Sequence, residues 1–333
     1  MFLASLTVTA YGVVHSDVLA NLWPRTLAEQ IAMLAVGAAL TAGICMQHRR
    51  PAVLLHGWRG LFGAAGIWIV ACFGAAPTLA AAAVLACCVI YGEVLLAAAG
   101  TEVEDPVTVA AIGIGATILV LVGAGIAQVP MLPVFWLLVG ATPGCLLSAR
   151  CRGRLARRLL SASPSALSRR SVVEAACAAI LLFDVLYLTA NAAMPERYYD
   201  ALAMHFLIPS QVATFGHWTY DPTLAFAFFP IGADYLFSFA MALGGEPAAK
   251  LLNLAILLLT AALLHDIVRE EHGARHASLA VILFLGIPMT SIVTASLFVE
   301  NTLPLPTACC CCSAERAVLR SSGWRSCCRP WRR

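Results

Sequence analysis

The sequence is poor in charged residues, which occupy only 12% of its 333 positions, whereas hydrophobic residues occupy 61% and the mean hydropathy is +0.85. This balance excludes an ordinary soluble domain, in which about a quarter of the residues are charged. The formal net charge is only +3, and it gives no indication of nucleic-acid binding. The composition instead predicts a chain that crosses a lipid bilayer several times.

The motifs of several common enzyme classes are also missing. The chain has no Walker loop, no GxSxG or HExxH sequence and no dinucleotide-binding fingerprint. The N-terminal stretch MFLASLTVTAYGVVHSDVLANLW has no basic segment before its apolar run, which predicts a first span rather than a cleaved signal peptide. Of the thirteen cysteines, those before residue 180 lie mostly in or beside apolar runs, so we predict no disulfide framework and no cysteine metal site.

Long apolar runs are what the sequence does contain, and lipid permits them only a helical conformation because every backbone polar group needs an internal partner. We therefore predict an all-α, polytopic helical membrane protein with about nine transmembrane helices and one large extracytoplasmic loop that bears juxtamembrane helices. The candidate spans are 2–21, 27–46, 61–79, 81–99, 107–127, 131–148, 171–192, 251–267 and 277–297.

The positions of the arginines predict the orientation of the spans. Arg-rich loops at 48–59 and 150–170 should be cytoplasmic. The span 171–192 then runs outwards and places the loop 193–250 on the extracytoplasmic side of the cell membrane.

The segment 224–243 decides the orientation of everything after it. It is long enough to span, but Pro230, Gly232 and Asp234 interrupt it, which suits an interfacial or re-entrant helix equally well. If it lies at the outer surface, Glu300 is on the same side as Asp200; if it spans, the two are on opposite sides. We favour the first arrangement because it leaves the basic stretch 269–276 in the cytoplasm.

The chain divides into transmembrane helices at 1–170, a second region at 171–304 that contains the extracytoplasmic loop, and a Cys/Arg-rich tail at 305–333. The tail matches no structural class. A repeated TGC codon becomes CTG or GCT when it is read one base away, so we expect the tail to be an apolar helix translated out of frame. A metal cluster is disfavoured because adjacent cysteines lack C-x-x-C spacing, and a palmitoylated basic tail is a further alternative.

A polar interruption at 194–218, MPERYYDALAMHFLIPSQVATFGHW, contains several candidate functional residues. Asp200 and His205 follow the end of a span and precede an amphipathic segment that predicts a helix lying in the membrane interface. Their spacing leaves two interpretations open. Asp200 is either a solvated or helix-capping carboxylate or a functional one, and His205 is either a packed interfacial residue or a ligand.

Ionisable residues at lipid depth form a second group, with His15 and Asp17 in the first span and Asp184 in the seventh. Such residues are functional candidates, although helix pairing and snorkelling are equally good explanations. A transporter or lipid flippase with Asp17 and Asp184 on its polar path is therefore an alternative function. That function favours internally repeated broken helices, and we find no such repeat.

Three stretches, YYDALAMHFLIPSQVATFGHW, FFPIGADYLFSFAMALGGEPAAKLLNLAILLL and SIVTASLFVENTLPL, resemble the start of the catalytic region of the GT-C integral-membrane glycosyltransferases. This group contains protein O-mannosyltransferases, aminoarabinose-lipid A transferases and oligosaccharyltransferases. The resemblance covers residues 171–305. Asp200 matches the acidic residue that opens the first extracytoplasmic loop of the family, Pro230 and Gly232 match a conserved type of turn, and Glu300 matches a second acidic position that is more commonly Asp.

The resemblance implies transfer of a sugar from a polyprenyl-phosphate carrier to an unidentified acceptor at the outer membrane interface. It implies catalytic roles for Asp200 and Glu300, with Asp200 as the general base. The leaving phosphate needs positive charge, for which Arg197 and Lys250 are candidates, with His205 as a further substrate-binding residue. His205 and Glu300 are also candidate ligands of a divalent metal ion. The remaining alternative is a non-catalytic membrane protein fragment.

Overall fold

The computed structural model describes residues 66–101, 103, 105–148, 151–156, 172–196, 198, 201–217, 232–307 and 309. All regular elements in this part of the chain are helices and none is a strand, which confirms the predicted all-α class. The predicted spans 2–21 and 27–46, together with most of the 305–333 tail, lie outside the described residues.

Besides the helical residues 66–73, 151–156 and 304–307, eight α-helices follow one another along the described chain. They are α1 (Ala75–Ala98), α2 (Pro106–Ile126), α3 (Met131–Leu147), α4 (Val172–Ala192), α5 (Leu207–Phe215), α6 (Gly232–His272), α7 (Ala274–Leu285) and α8 (Pro288–Ala295). A π-helical turn, Ala201–His205, precedes α5, and a 3-10 turn, Val299–Asn301, follows α8. Helices α1, α2 and α6 are long and apolar enough to cross a membrane, and the bent pair α7 and α8 would be a fourth span if it counts as one. These helices make the protein membrane-associated.

Two of the predicted spans are interrupted where the sequence suggested continuity. The predicted run 61–79 is broken at Gly74, whose φ of 88° suits a residue without a Cβ, so that α1 begins six residues before the predicted span 81–99. The predicted span 277–297 is bent by 62° between α7 and α8. Ile287 is extended at the bend because the following Pro288 disfavours a helical conformation in the residue before it.

Helix α6 also consists of two arms. The break is at Gly245, which has a φ of 75° and a ψ of −174°, and Pro247 follows two residues later. The first arm, residues 232–244, would be about 20 Å long at 1.5 Å per residue, whereas the hydrocarbon core of a bilayer is about 30 Å thick. The second arm contains the predicted span 251–267 and is long enough to cross.

Glycines allow the helices to pack closely. Gly92 of α1 lies against the backbone of Val109, and Gly113 of α2 lies against the backbone of Cys88, so the two helices cross without intervening side chains. The first arm of α6 packs on α1 and α2. The ring of Phe239 in this arm also stacks on Phe135 of α3, with 4.9 Å between ring centroids. Together, these contacts give the described helices one continuous apolar core.

Contacts between connecting segments distinguish two ends of the helical bundle. At one end, which we call the arginine end, a guanidinium nitrogen of Arg154 donates to the carbonyl oxygen of Thr101 at 2.9 Å. At the other, which we call the loop end, the backbone N–H of Met131 donates to the carbonyl oxygen of Gly216 at 2.6 Å. This second bond ties the start of α3 to the residue that follows α5. The loop end carries the residues described next.

Candidate functional site

A histidine and an aspartate pair at the loop end. His205 closes the π-helical turn, and Asp234 lies in the first turn of α6. The imidazole Nδ1 and the carboxylate Oδ1 are 3.0 Å apart, with side-chain exposures of 14% for His205 and 1% for Asp234. A hydrogen bond of this kind, made to a charged group in a place where water is scarce, is stronger than one between neutral groups in water.

The ring of Phe298 connects this pair to the turn that carries Glu300. The His205 ring meets Phe298 edge-on at 5.8 Å between centroids, and the Tyr198 ring lies 6.4 Å from the same ring. Tyr198 and His205 are on either side of Asp200 in the sequence, although Asp200 itself lies outside the described residues. The loop after α4 and the turn after α8 are therefore in direct contact.

A buried ion pair holds the beginning of that loop. The Glu196 carboxylate and the Lys250 ammonium are 3.9 Å apart, and both side chains are 1% exposed. Lys250 also donates to the carbonyl oxygen of Met194. The second carboxylate contact of Glu196 is with the backbone N–H of Leu297, which donates to Oε2 at 2.9 Å. The loop, the second arm of α6 and the turn after α8 are joined through this one carboxylate.

Two asparagines fix the turn itself. The side-chain amide of Asn253 donates to the carbonyl oxygens of Val293 and Ser296, at 3.1 Å and 2.7 Å, and so supports the C-terminal end of α8. The side-chain amide of Asn301 donates to the Thr294 hydroxyl at 3.1 Å. Glu300 lies between these supports and is exposed.

The arrangement therefore offers an acid–base pair and an exposed carboxylate at the rim of an apolar bundle. An imidazole paired with a carboxylate is suited to transferring a proton or to binding an anion. Within the described ranges, no group of three or more His, Cys, Asp or Glu side chains is placed to hold a metal ion. The predicted roles of His205 and Glu300 as metal ligands stay predictions.

The residues expected from the sequence have different surroundings. His205 and Glu300 both lie at the loop end, in contact with or beside Phe298. Lys250 is buried, with its ammonium group next to Glu196 rather than at the surface. Arg197 and Asp200 lie outside the described residues, so their predicted roles are not addressed by any contact.

Two residues of this site, Asp234 and Glu196, were not predicted from the sequence. Asp234 was noticed only as an interruption of the segment 224–243, yet a carboxylate within an otherwise apolar segment is itself a signal of a functional or paired group. Glu196 had no comparable signal, because its partners Lys250 and Leu297 are distant in the sequence.

The structure describes only one of the two residues expected on the polar path of a transporter or flippase. Asp184 is half-buried in α4, and its Oδ2 atom has no hydrogen-bond partner within the part of the chain that the structure describes. Asp17, the other expected member of that path, lies outside the described residues.

Comparisons with protein-family models, with curated proteins and with solved structures find no match to this chain.

Proposed function

We propose that the chain is a polytopic membrane glycosyltransferase that takes a sugar from a polyprenyl-phosphate carrier and transfers it to an acceptor on the extracytoplasmic side, as its resemblance to the GT-C enzymes implies. The observation that carries the proposal is the contact of Tyr198 and His205 with Phe298. This contact brings the loop that contains Asp200 next to the turn that contains Glu300. The family's two acidic positions would then act in one site.

The path of α6 supports the same arrangement. Asp234, near the start of the first arm, contacts His205, and Glu246, just after the first arm, accepts a hydrogen bond from the backbone N–H of Glu196. Both ends of this short arm therefore contact one loop, which favours an arm that stays at the interface over one that crosses. Under the positive-inside rule, the arginine end would be cytoplasmic and the loop end extracytoplasmic.

The proposed chemistry is a single displacement at the anomeric carbon. Asp200 accepts the proton of the acceptor hydroxyl while the oxygen of that hydroxyl forms a bond to the anomeric carbon. The bond from that carbon to the phosphate oxygen breaks on the opposite face, the electron pair leaves with the carrier phosphate, and the configuration inverts. Glu300 would orient the acceptor on the same side. A divalent ion held by His205 and Glu300 would supply positive charge for the phosphate and stays a prediction.

Replacement of Asp200 by Asn tests the function directly. Membranes that contain the full chain are incubated with radiolabelled polyprenyl-phosphate hexoses and pentoses, and transfer to endogenous acceptors is measured. Asp200→Asn should reduce transfer by a factor of about 10²–10⁴, the usual contribution of a general base, with an unchanged amount of protein. Normal turnover of the variant would contradict the proposal.

Asp184 provides the comparison with the alternative function. Its unpartnered carboxylate oxygen is the observation that favours a transporter or flippase. Asp184→Asn should leave sugar transfer unchanged if the chain is a glycosyltransferase. Movement of a substrate or lipid across the membrane that depends on Asp184 and not on Asp200 would support the transporter instead.

A further inference from the structure

The peptide group between Ser296 and Leu297 is held by two side chains that are distant in the sequence. Its carbonyl oxygen accepts a hydrogen bond from the side-chain amide of Asn253 at 2.7 Å, and its N–H donates to Oε2 of Glu196 at 2.9 Å. In a trans peptide the C=O and N–H bonds point in opposite directions. The second arm of α6 and the loop after α4 therefore hold this peptide from opposite sides, and we call the arrangement the peptide clamp.

The peptide clamp lies where water is scarce. Ser296, Leu297 and Asn253 are fully buried, and so is the side chain of Glu196. Ser296 follows the last residue of α8 with an extended backbone, at a φ of −121° and a ψ of 166°, which takes the next peptide group out of the helical hydrogen-bond pattern. A buried polar group without a partner costs about 1–3 kcal/mol. The two side chains therefore define the orientation in which this peptide is fully paired.

The chemical nature of the contacts determines which atoms meet in the clamp. Nδ2 of Asn253 also donates to the carbonyl oxygen of Val293 at 3.1 Å. Because both carbonyl oxygens can only accept, the amide nitrogen of Asn253 must face them. On the other side, the Leu297 N–H needs an acceptor, and the Glu196 carboxylate accepts more strongly than a neutral group. Each side of the clamp therefore depends on one particular functional group.

Glu300 follows the clamp by only three residues. Leu297 is followed by Phe298, whose ring packs on the loop after α4, and then by the 3-10 turn Val299–Asn301. A single 3-10 turn advances the chain by only about 6 Å, so a displacement of the clamped peptide reaches Glu300 within one turn. Glu300 is exposed, whereas the clamp that precedes it is buried. An exposed carboxylate on a rigid, hydrogen-bonded support is what a precisely placed functional group needs.

We propose that Asn253 and Glu196 are positioning residues, which hold the Ser296–Leu297 peptide so that Glu300 orients the acceptor at the correct distance from the anomeric carbon. This inference rests on the proposed function, in which Glu300 orients the acceptor. Neither positioning residue touches the substrate, because both act through the backbone of the turn. A misplacement of about 1 Å costs about 100-fold in rate. Loss of the clamp therefore lowers the maximal rate of transfer and leaves the apparent affinity for the donor unchanged.

Replacement of Asn253 by Leu tests the clamp, because leucine has a similar volume and no donor for the Ser296 carbonyl. Transfer from radiolabelled polyprenyl-phosphate hexoses and pentoses is measured in membranes as a function of donor concentration, per amount of folded protein. We expect the maximal rate to fall about tenfold or more, with the KM for the donor unchanged. Thr117→Val is the matched control, since it removes a buried hydrogen bond of 2.8 Å to the Gly113 carbonyl in α2, outside the clamp, and should leave the rate unchanged.

Coupling to Glu300 separates positioning from a merely structural role. If the clamp acts through Glu300, Asn253→Leu should cause no further loss of rate in a Glu300→Gln background. An equal loss in both backgrounds would overturn the proposal. If Asn253→Leu transfers normally while Asp200→Asn does not, the clamp has no positioning role and the proposed function stands. If Asp200→Asn transfers normally while Asn253→Leu and Glu300→Gln remain coupled, the positioning stands and the assigned base is wrong. No transfer by the wild-type chain would overturn both.

The other side of the clamp covers the case in which Asn253→Leu does not fold. Glu196→Met combined with Lys250→Met removes the acceptor of the Leu297 N–H together with both charges of the buried pair. Apolar replacement of a whole buried ion pair is often tolerated, whereas removal of one partner is not. We expect the same decrease in maximal rate and the same absence of a further loss with Glu300→Gln. A normal maximal rate in this double variant would contradict the proposal.

Hydrogen exchange of the Leu297 amide measures the clamp without an activity assay. Protein labelled with carbonyl-13C serine and 15N leucine gives an NMR signal for each Ser–Leu peptide, and the Ser296–Leu297 signal is the one that Ser296→Ala loses. Exchange at this peptide should be about tenfold or more faster in the Glu196→Met, Lys250→Met variant than in the wild type. The Ser278–Leu279 peptide of α7 is the internal reference and should be unchanged. Equal exchange of the Leu297 amide in both proteins would overturn the proposal, since Glu196 would then not hold this peptide.

Discussion

Lys250, the only lysine of the sequence, lies 3.9 Å from the carboxylate of Glu196, and both side chains are 1% exposed. The same carboxylate accepts a hydrogen bond from the backbone N–H of Leu297, which is 101 residues further along the chain. An ion pair at such a junction compensates two charges that would each be costly alone. It also fixes the loop after α4 to the turn that presents Glu300.

Removal of the lysine should therefore destabilise the protein strongly. Lys250→Met leaves Glu196 buried without its counter-charge, and we expect a loss of about 3–5 kcal/mol in the free energy of unfolding, measured by SDS titration in mixed micelles. The double variant Glu196→Gln with Lys250→Met should recover part of this loss. A change below about 1 kcal/mol in the single variant would show that the pair is not stabilising.

The crossing of α1 and α2 should not tolerate a side chain at Gly113. A Cβ at this position would overlap the carbonyl group of Cys88, so Gly113→Ala must separate the two helices and should cost several kcal/mol of stability. Gly115→Ala, two residues later in the same helix, meets no atom within 4 Å and should be neutral or slightly stabilising. Equal melting temperatures for the two variants would contradict the described crossing.

Asp105 should stabilise the start of α2 as an N-cap. Its carboxylate accepts hydrogen bonds from the backbone N–H groups of Val107 and Thr108, at 3.1 Å and 2.9 Å, and from the Thr108 hydroxyl. Asp105→Ala should cost about 0.5–2 kcal/mol in the free energy of unfolding, whereas Asp105→Asn, which keeps an accepting oxygen, should cost much less. Sugar transfer should be unchanged in both variants, since this cap lies at the arginine end.

The proposed orientation predicts which ends of the bundle a membrane-impermeant maleimide can reach. Glu300 and Thr101 are both exposed, the first at the loop end and the second at the arginine end. In sealed cells, Glu300→Cys should be labelled above the level of the parent chain and Thr101→Cys only after the membrane is opened. Labelling of both from outside would show that one of these residues is on the wrong side of the proposed topology.

The sequence by itself determined the class of the protein and the positions of most described helices. Its apolar runs leave no alternative to helices in lipid, because unpaired backbone groups cannot be hydrated there. The helices α2, α3 and α4 accordingly lie within a few residues of the predicted spans 107–127, 131–148 and 171–192. The break at Gly74 was not predicted, because a glycine in an apolar run is compatible with either a continuous or a broken helix. The break at Gly245 lies between the predicted segments 224–243 and 251–267.

Tertiary structure alone decided how the polar residues are paired. The sequence singled out His205, Lys250 and Glu300, but it gave no indication that Asp234 would pair with His205, 29 residues away, or that Glu196 would compensate Lys250. Periodicity and motif spacing report only what neighbouring residues along one helix share. The partners of a buried charge are chosen by the crossing of distant helices, and here those crossings bring α6 and the turn after α8 against one loop.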